Sequence, residues 1–151
     1  MGSLYITRAL PVKGRRLVRP SCFLDHFGPR TFTDERPIDV GPRPHIGIQT
    51  VSWLLEGEVL HDDSLGYQAL RRAVGVNTMT SGHGISHSEQ TPEWNTGRLN
   101  GVQFWVALPE SHRDAVPALQ HIERVPMSEH NGGVVQVFAG AFAGMVSPAQ
   151  H

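Results

Sequence analysis

The sequence predicts an all-β fold of the sandwich or jelly-roll class, and two observations support this. Short runs of β-branched and aromatic residues recur along the 151-residue chain, and 16 glycines and 11 prolines separate them. Many short strands divided by turn residues are typical of two packed sheets. A chain of this length supports one hydrophobic core, so we expect a single domain over residues 1–151.

Six segments have strand patterns, and one segment has a helical pattern. Glu56-Gly57 between the first two strands is typical of a hairpin turn. Glu110–Ile122 is the only helix that the pattern predicts, and Pro117 limits it to one or two turns. The predicted strands are Thr50–Leu55, Glu58–His61, Val74–Thr80, Ile85–Glu89, Gly101–Leu108 and Gly133–Phe138.

The charge balance gives no support for a nucleic-acid partner. Acidic and basic residues leave a formal net charge of -1, whereas nucleic-acid binding requires a clustered basic face. The one dense basic stretch, Lys13–Arg19, alternates with Leu17 and Val18. We expect it to form a solvated edge strand, because lysine and arginine on an edge block pairing with other sheets.

The cysteine content and the N-terminus predict a soluble, cytoplasmic protein. Cys22 is the only cysteine, which excludes an internal disulfide and is typical of a reducing compartment. The N-terminal residues lack the apolar run of a secretory signal. No segment approaches the ~20 apolar residues of a membrane helix, so we expect no membrane association.

One set of residues has the pattern of a metal site. Side chains two apart on a strand share a face, so His87 and Glu89 can reach one point, and His45 can reach it from a neighbouring strand. Two imidazoles and one carboxylate suit Fe(II) and leave positions open for oxygen or substrate. The alternative is that these are surface or hydrogen-bonded polar residues, because His-x-Glu also occurs by chance.

Seven longer motifs follow one another along the chain: Phe23–Pro29, Pro44–Val51, Leu55–Glu58, His61–Gly66, Met79–Gly82, His87–Glu89 and Gln103–Pro109. In this order they resemble the N-terminal half of pirins, which are two-domain cupins. The match runs from about Ile6 to Val146 and covers nearly the whole chain. The resemblance therefore implies a single cupin β-barrel of the jelly-roll type.

The resemblance also implies a ligand set for an iron-type metal. In the family the metal is held by a His-Pro-His segment and a His-x-Glu segment, which match His45, His87 and Glu89 here, but the first ligand position is occupied by Arg43. A guanidinium has no free lone pair and cannot bind a metal. Arg43 either turns outward and leaves a three-ligand site, or it pairs with Glu89 and fills the site.

Two other histidines lie near this pattern. His83 stands where the family usually has arginine, and it is a candidate substitute ligand, although its glycine-flanked position also suits a solvated loop residue. His61 precedes an Asp-Asp-Ser loop, and we expect a hydrogen-bonded structural histidine rather than a ligand.

Two functions follow from the resemblance. The first is a dioxygenase that oxidises flavonols such as quercetin, with Fe(II) or another divalent transition metal on His45, His87 and Glu89, and with Glu89 as the catalytic base. The second is a binding or regulatory cupin without turnover, whose metal site is degenerate and whose partner is a small aromatic or flavonoid ligand. Because the family's second cupin domain does not follow, we also expect a homodimer that covers the face left bare.

Overall fold

A computed structural model describes residues 5–33 and 35–149, and they form fourteen β-strands. No helix of membrane-spanning length and hydropathy occurs in these ranges. The strands are β1 (Ile6–Leu10), β2 (Ser21–Thr31), β3 (Asp39–His45), β4 (Ile48–Glu56), β5 (Glu58–Asp63), β6 (Gln68–Arg72), β7 (Val76–Thr80), β8 (Ile85–Gln90), β9 (Arg98–Ala107), β10 (Ala118–Ile122), β11 (Met127–His130), β12 (Gly133–Gln136), β13 (Ala141–Phe142) and β14 (Met145–Val146).

Two antiparallel sheets form the jelly roll. The larger has six strands in the order β1-β2-β9-β4-β7-β10, and the smaller has four in the order β3-β8-β5-β6. Two short hairpins, β11-β12 and β13-β14, follow the larger sheet in the chain. The all-β class predicted from the sequence is therefore confirmed.

A single glycine joins β4 of the larger sheet to β5 of the smaller one. Gly57 has φ +91°, a conformation that favours glycine, and a Cβ at this position would collide with the carbonyl of Arg98. The chain turns at Glu56-Gly57 as predicted, but the predicted hairpin is wrong, because β4 pairs with β7 and β9 whereas β5 pairs with β6 and β8.

The two faces of the six-stranded sheet carry separate hydrophobic clusters. Leu54 and Val59 belong to the inner core, which lies between the sheets, whereas Val51 packs on the opposite face in the outer core. Residues near the end of the described chain cover part of that outer face. The inner core is Phe32, Ile38, Leu54, Val59 and Leu99, and the outer core is Val51, Val76, Ile122, Val125 and Ala149.

The predicted helix over Glu110–Ile122 is wrong. Residues 110–114 form turns, in which His112 and Ala115 donate backbone hydrogen bonds to Pro109 and His112. Ala118–Ile122 form β10, which pairs along its length with β7. Pro117 removes the hydrogen bond that a helix would need there, and pairing with a sheet edge supplies partners for the following residues instead.

The predicted edge strand over Lys13–Arg19 is also wrong. Val12 and Arg15 exchange two backbone hydrogen bonds of 3.0 Å around Lys13-Gly14, and Val18 and Ser21 form a second bridge. These bonds close two tight turns within the segment. Gly14, with φ +84°, permits the first of them.

A candidate metal centre closed by two arginines

Seven polar side chains from four strands meet between the sheets, and we call them the polar centre. Antiparallel register places Arg43 opposite His87, and His61 opposite Glu89. Alternation along each strand then turns every second residue to the same inward face. The polar centre consists of Arg43 and His45 from β3, His61 and Asp63 from β5, Arg71 from β6, and His87 and Glu89 from β8.

Glu89 is held by two guanidinium groups. Arg43 donates from Nη2 to Glu89 Oε2 at 2.6 Å, and Arg71 donates from Nη1 to Glu89 Oε1. Burial alone would raise the pKa of Glu89, but the charges of Arg71 and Arg43 outweigh it and lower the pKa to about 2. Each carboxylate oxygen therefore already has a cationic partner.

The hydrogen bonds of His61 assign its tautomer. Arg71 Nη2 lies 2.5 Å from His61 Nδ1, and a guanidinium only donates, so Nδ1 accepts. The proton is then on Nε2, which donates to Asp63 Oδ2 at 3.1 Å. The fully buried His61 is thus hydrogen-bonded on both nitrogens, as the structural interpretation of this residue predicted.

The same hydrogen-bond network indicates which nitrogen of His87 carries the ring proton. Its Nδ1 lies 3.4 Å from His61 Nδ1, which has no proton, so any hydrogen bond between the two must be donated by His87. That leaves a lone pair on His87 Nε2, which is buried without a partner among the described residues. Burial, together with the positive charge of Arg43, lowers the pKa of His87 to about 3. The ring is therefore neutral near pH 7.

His45 lies beside His87 rather than inside the tightest cluster. The two ring centroids are 5.1 Å apart, and the edge of Trp105 packs against His45 at the same distance. His45 Nε2 is also buried and has no hydrogen-bond partner within the described ranges. Burial and the neighbouring Arg43 charge lower its pKa.

The residues with metal-binding atoms nearest to one another are His61, His87 and Glu89. One atom from each lies within 4.8 Å of the others. His45, His87 and Glu89, predicted from the sequence as ligands, all belong to the polar centre, and their ligand role stays a prediction. His83 is exposed on the turn between β7 and β8, and it is not a member of this three-residue cluster.

The side chains as arranged do not fit a divalent metal. The His87 and His45 Nε2 atoms are suitable donors, but both oxygens of Glu89 already accept from guanidiniums. His61 has no free lone pair either, since one nitrogen accepts from Arg71 and the other donates to Asp63. Two positive charges beside the carboxylate further oppose a third cation.

Sequence reasoning missed Arg71. In the β5-β6 hairpin Arg71 pairs with Val59, and directly opposed residues share a face. Val59 belongs to the inner core, so Arg71 also points inward. The Asp-Asp-Ser loop after His61 was the available signal for this hairpin, but no strand was predicted over Gln68–Arg72, so the register opposite Val59 was unknown.

Comparison with known proteins identifies the family. The family model named Pirin matches residues 4–106. The chain belongs to the pirin family. A pirin-like protein from Caulobacter vibrioides is 40% identical over 154 residues, which cover 97% of this chain and 54% of that protein.

Solved structures agree with this pirin fold. The quercetin 2,3-dioxygenase from Acinetobacter baumannii has a TM-score of 0.93 and 42% identity, over 97% of this chain and 48% of that one. The bacterial pirin YhhW from Escherichia coli, solved in complex with nickel(II), has a TM-score of 0.68 over 85% of this chain and 54% of its own. At 22% identity, YhhW supports the fold alone. This pirin chain spans about half the length of these relatives.

A large cavity of this pirin chain lies away from the polar centre. Its volume is about 950 Å³, and it opens on the outer face of the six-stranded sheet. Val51, Phe104 and Phe138 line it, together with polar groups from Gln49 and Thr80. The sheet itself therefore separates this cavity from Glu89 and its arginines.

Proposed function

We propose that this chain is a pirin-type cupin that binds a small ligand without oxidising it. The observation that supports this is the double pairing of Glu89, whose two oxygens accept from Arg43 and Arg71. This carboxylate is the acidic member of the predicted ligand set. Because its ion pairs with Arg43 and Arg71 neutralise it, its negative charge no longer attracts a metal. The centre then serves the fold rather than oxygen chemistry.

The two guanidiniums would repel a metal bound at Glu89. At separations on the order of 5 Å and an effective dielectric near 20, two unit charges interact by about 3 kcal/mol. Because a divalent cation carries two charges, its repulsion from each guanidinium would be twice this energy. Glu89 and Asp63 already balance Arg43 and Arg71, so no negative charge is left over to offset the repulsion.

The ligand class we propose is a small aromatic molecule, such as a flavonol. The cavity on the outer face has the size range of small-molecule sites and a mainly apolar lining with a few polar groups. Quercetin should quench tryptophan fluorescence saturably, and its visible absorption should persist in air. Absence of saturable quenching would remove this ligand class from the proposal.

A second candidate is a flavonol dioxygenase of the quercetin 2,3 type, with Glu89 as the base. The Nε2 atoms of His45 and His87, which have no hydrogen-bond partner in the described part of the chain, favour it, as does the likeness to the Acinetobacter enzyme. In that function His45, His87 and Glu89 would hold Fe(II) or another divalent transition metal. The metal would supply the reactivity towards oxygen.

Metal content and turnover separate the two functions. The chain is expressed in medium supplemented with iron and nickel, purified without chelator, and measured by elemental analysis and by loss of the quercetin absorption band. Our proposal expects far less than one metal per chain and bleaching no faster than a blank with free metal. One metal per chain, with turnover that disappears in Glu89→Gln, would establish the dioxygenase instead.

A further inference from the structure

We propose that Arg71 is the residue that prevents metal binding in this centre, so that the substitution Arg43→His alone cannot restore it. This inference rests on the proposed function and assigns a role to a residue outside the predicted ligand set. Arg71 is only 3% exposed and contacts two members of the three-residue cluster, Glu89 and His61. One side chain therefore occupies Oε1 of Glu89 and Nδ1 of His61 at the same time.

Arg71 also determines which ring nitrogen of His61 carries the proton. By donating to His61 Nδ1, it makes that nitrogen an acceptor and places the ring proton on Nε2, toward Asp63. Asp63 is itself held in place, because its Oδ1 accepts from the backbone N–H groups of Leu65 and Tyr67. His61 cannot turn a lone pair toward a metal while Arg71 stays.

The two arginines differ in their freedom to leave. The side chain of Arg43 is 29% exposed, and its long stem can carry the charge to solvent. Arg71 is enclosed between the sheets, where its inward direction is set by the strand register opposite Val59. The Arg43 guanidinium can therefore move away from Glu89 into solvent, whereas the Arg71 guanidinium stays beside Glu89.

Nickel(II) binding to a set of variants tests this assignment. Isothermal titration calorimetry is run on the unmodified chain, Arg43→His, Arg71→Leu and the double variant Arg43→His/Arg71→Leu. We expect Arg43→His to bind nickel within about threefold of the unmodified chain, and the double variant to bind about 100-fold more tightly, the scale seen when groups behind metal ligands are changed. The double variant should take up one nickel per chain.

Arg72 offers a matched control. It is the next residue on β6, it is exposed on the other face, and its guanidinium lies 6.0 Å from the Trp94 ring. Arg43→His/Arg72→Leu removes the same total charge as the double variant and should bind nickel no better than Arg43→His. Equal affinities for the two double variants would mean that net charge, and not Arg71, decides binding.

The outcomes separate this inference from the proposed function. If Arg43→His binds nickel as tightly as Arg43→His/Arg71→Leu, the role of Arg71 is wrong, while a metal-free unmodified chain still supports the proposed function. Stoichiometric metal in the unmodified chain would instead overturn the proposed function.

A measurement on the unmodified chain covers the case in which Arg71→Leu does not fold. Long-range 1H–15N NMR should show His61 protonated on Nε2 and bare on Nδ1, and the reverse pattern would overturn the inference. Arg71→Gln, which keeps an amide donor without the charge, provides a second variant for the nickel titration and should give tighter binding than Arg43→His when combined with it.

Discussion

The two faces of the six-stranded sheet carry opposite properties. On the inner side, the polar centre packs four charged and three imidazole side chains against the inner core, with His61 and His87 buried. On the outer side, a cavity of about 950 Å³ has a mainly apolar lining and no Asp, Glu, Lys or Arg. The polar centre and the cavity are thus on opposite sides of one sheet.

Because of this difference, the two faces should differ in how much stability a substitution costs. Buried charges are stable only when each has a partner, so the polar centre tolerates little change. An apolar lining loses stability only in proportion to the surface and volume removed. We therefore expect substitutions in the centre to cost more than substitutions beside the cavity.

The largest effect is expected from Glu89→Gln. This change leaves the buried Arg71 without its carboxylate partner and the half-buried Arg43 without its own, and breaking a buried pair in this way costs about 3–5 kcal/mol. Urea unfolding monitored by tryptophan fluorescence measures it. A loss below about 1 kcal/mol would mean that the carboxylate is not the partner on which the centre depends.

Acidification should produce the next largest effect. The folded-state pKa of His87 is about 3, below the ordinary 6.5, so the unfolded chain takes up this proton first. Stability is complete above pH 6.5 and falls toward pH 3, and the part lost between about pH 7 and pH 5 amounts to about 2 kcal/mol. The lowered pKa values of His45 and His61 act in the same direction, and that of Glu89 adds to the loss below its ordinary value of 4.5.

Urea unfolding at several pH values tests this slope. His87→Gln should unfold with a weaker pH dependence than the unmodified chain over the same range. A free energy of unfolding that stays constant from neutral pH to about pH 5 would contradict the buried, neutral state of His87.

On the outer face, Val51→Ala should have a smaller effect. Val51 is buried in the outer core and lines the cavity, and removing two methyl groups costs about 1–2 kcal/mol. The His61 and His87 imidazole NMR signals should not move, because the change lies across the sheet. A shift in those signals would show that the two faces are coupled.

The smallest effect belongs to Arg72→Leu. Its guanidinium lies 6.0 Å from the exposed Trp94 ring, and such contacts contribute about 0.5–1 kcal/mol. Urea unfolding should therefore give nearly the value of the unmodified chain. A loss comparable with that of Glu89→Gln would contradict the distinction between inward and outward arginines on β6.

Much of this fold was predictable from local patterns, because the strands alternate and the turns carry glycine. The turn at Gly57 is an example, since the turn and both flanking strands have local signals, although the predicted pairing of those two strands is wrong. The segment Glu110–Ile122 was mispredicted because its local composition suits a helix, while pairing with β7 decided its structure. Such pairing depends on residues more than 30 positions away.

The candidate site was predictable in part for the same reason. His45, His87 and Glu89 share short motifs, so their convergence followed from strand alternation. Arg71 entered the site only through the register of β5 with β6 and the stacking of two sheets. Its effect on Glu89 therefore depends on contacts between distant segments, which no single motif contains.

The most direct test of the two-arginine centre is a crystal structure of the unmodified chain grown with nickel(II), with anomalous data collected at the nickel edge. Our account expects Arg43 and Arg71 both within hydrogen-bond distance of Glu89, and no anomalous peak among His45, His87 and Glu89. A nickel peak bonded to His87 and Glu89, with Arg43 turned out to solvent, would contradict it.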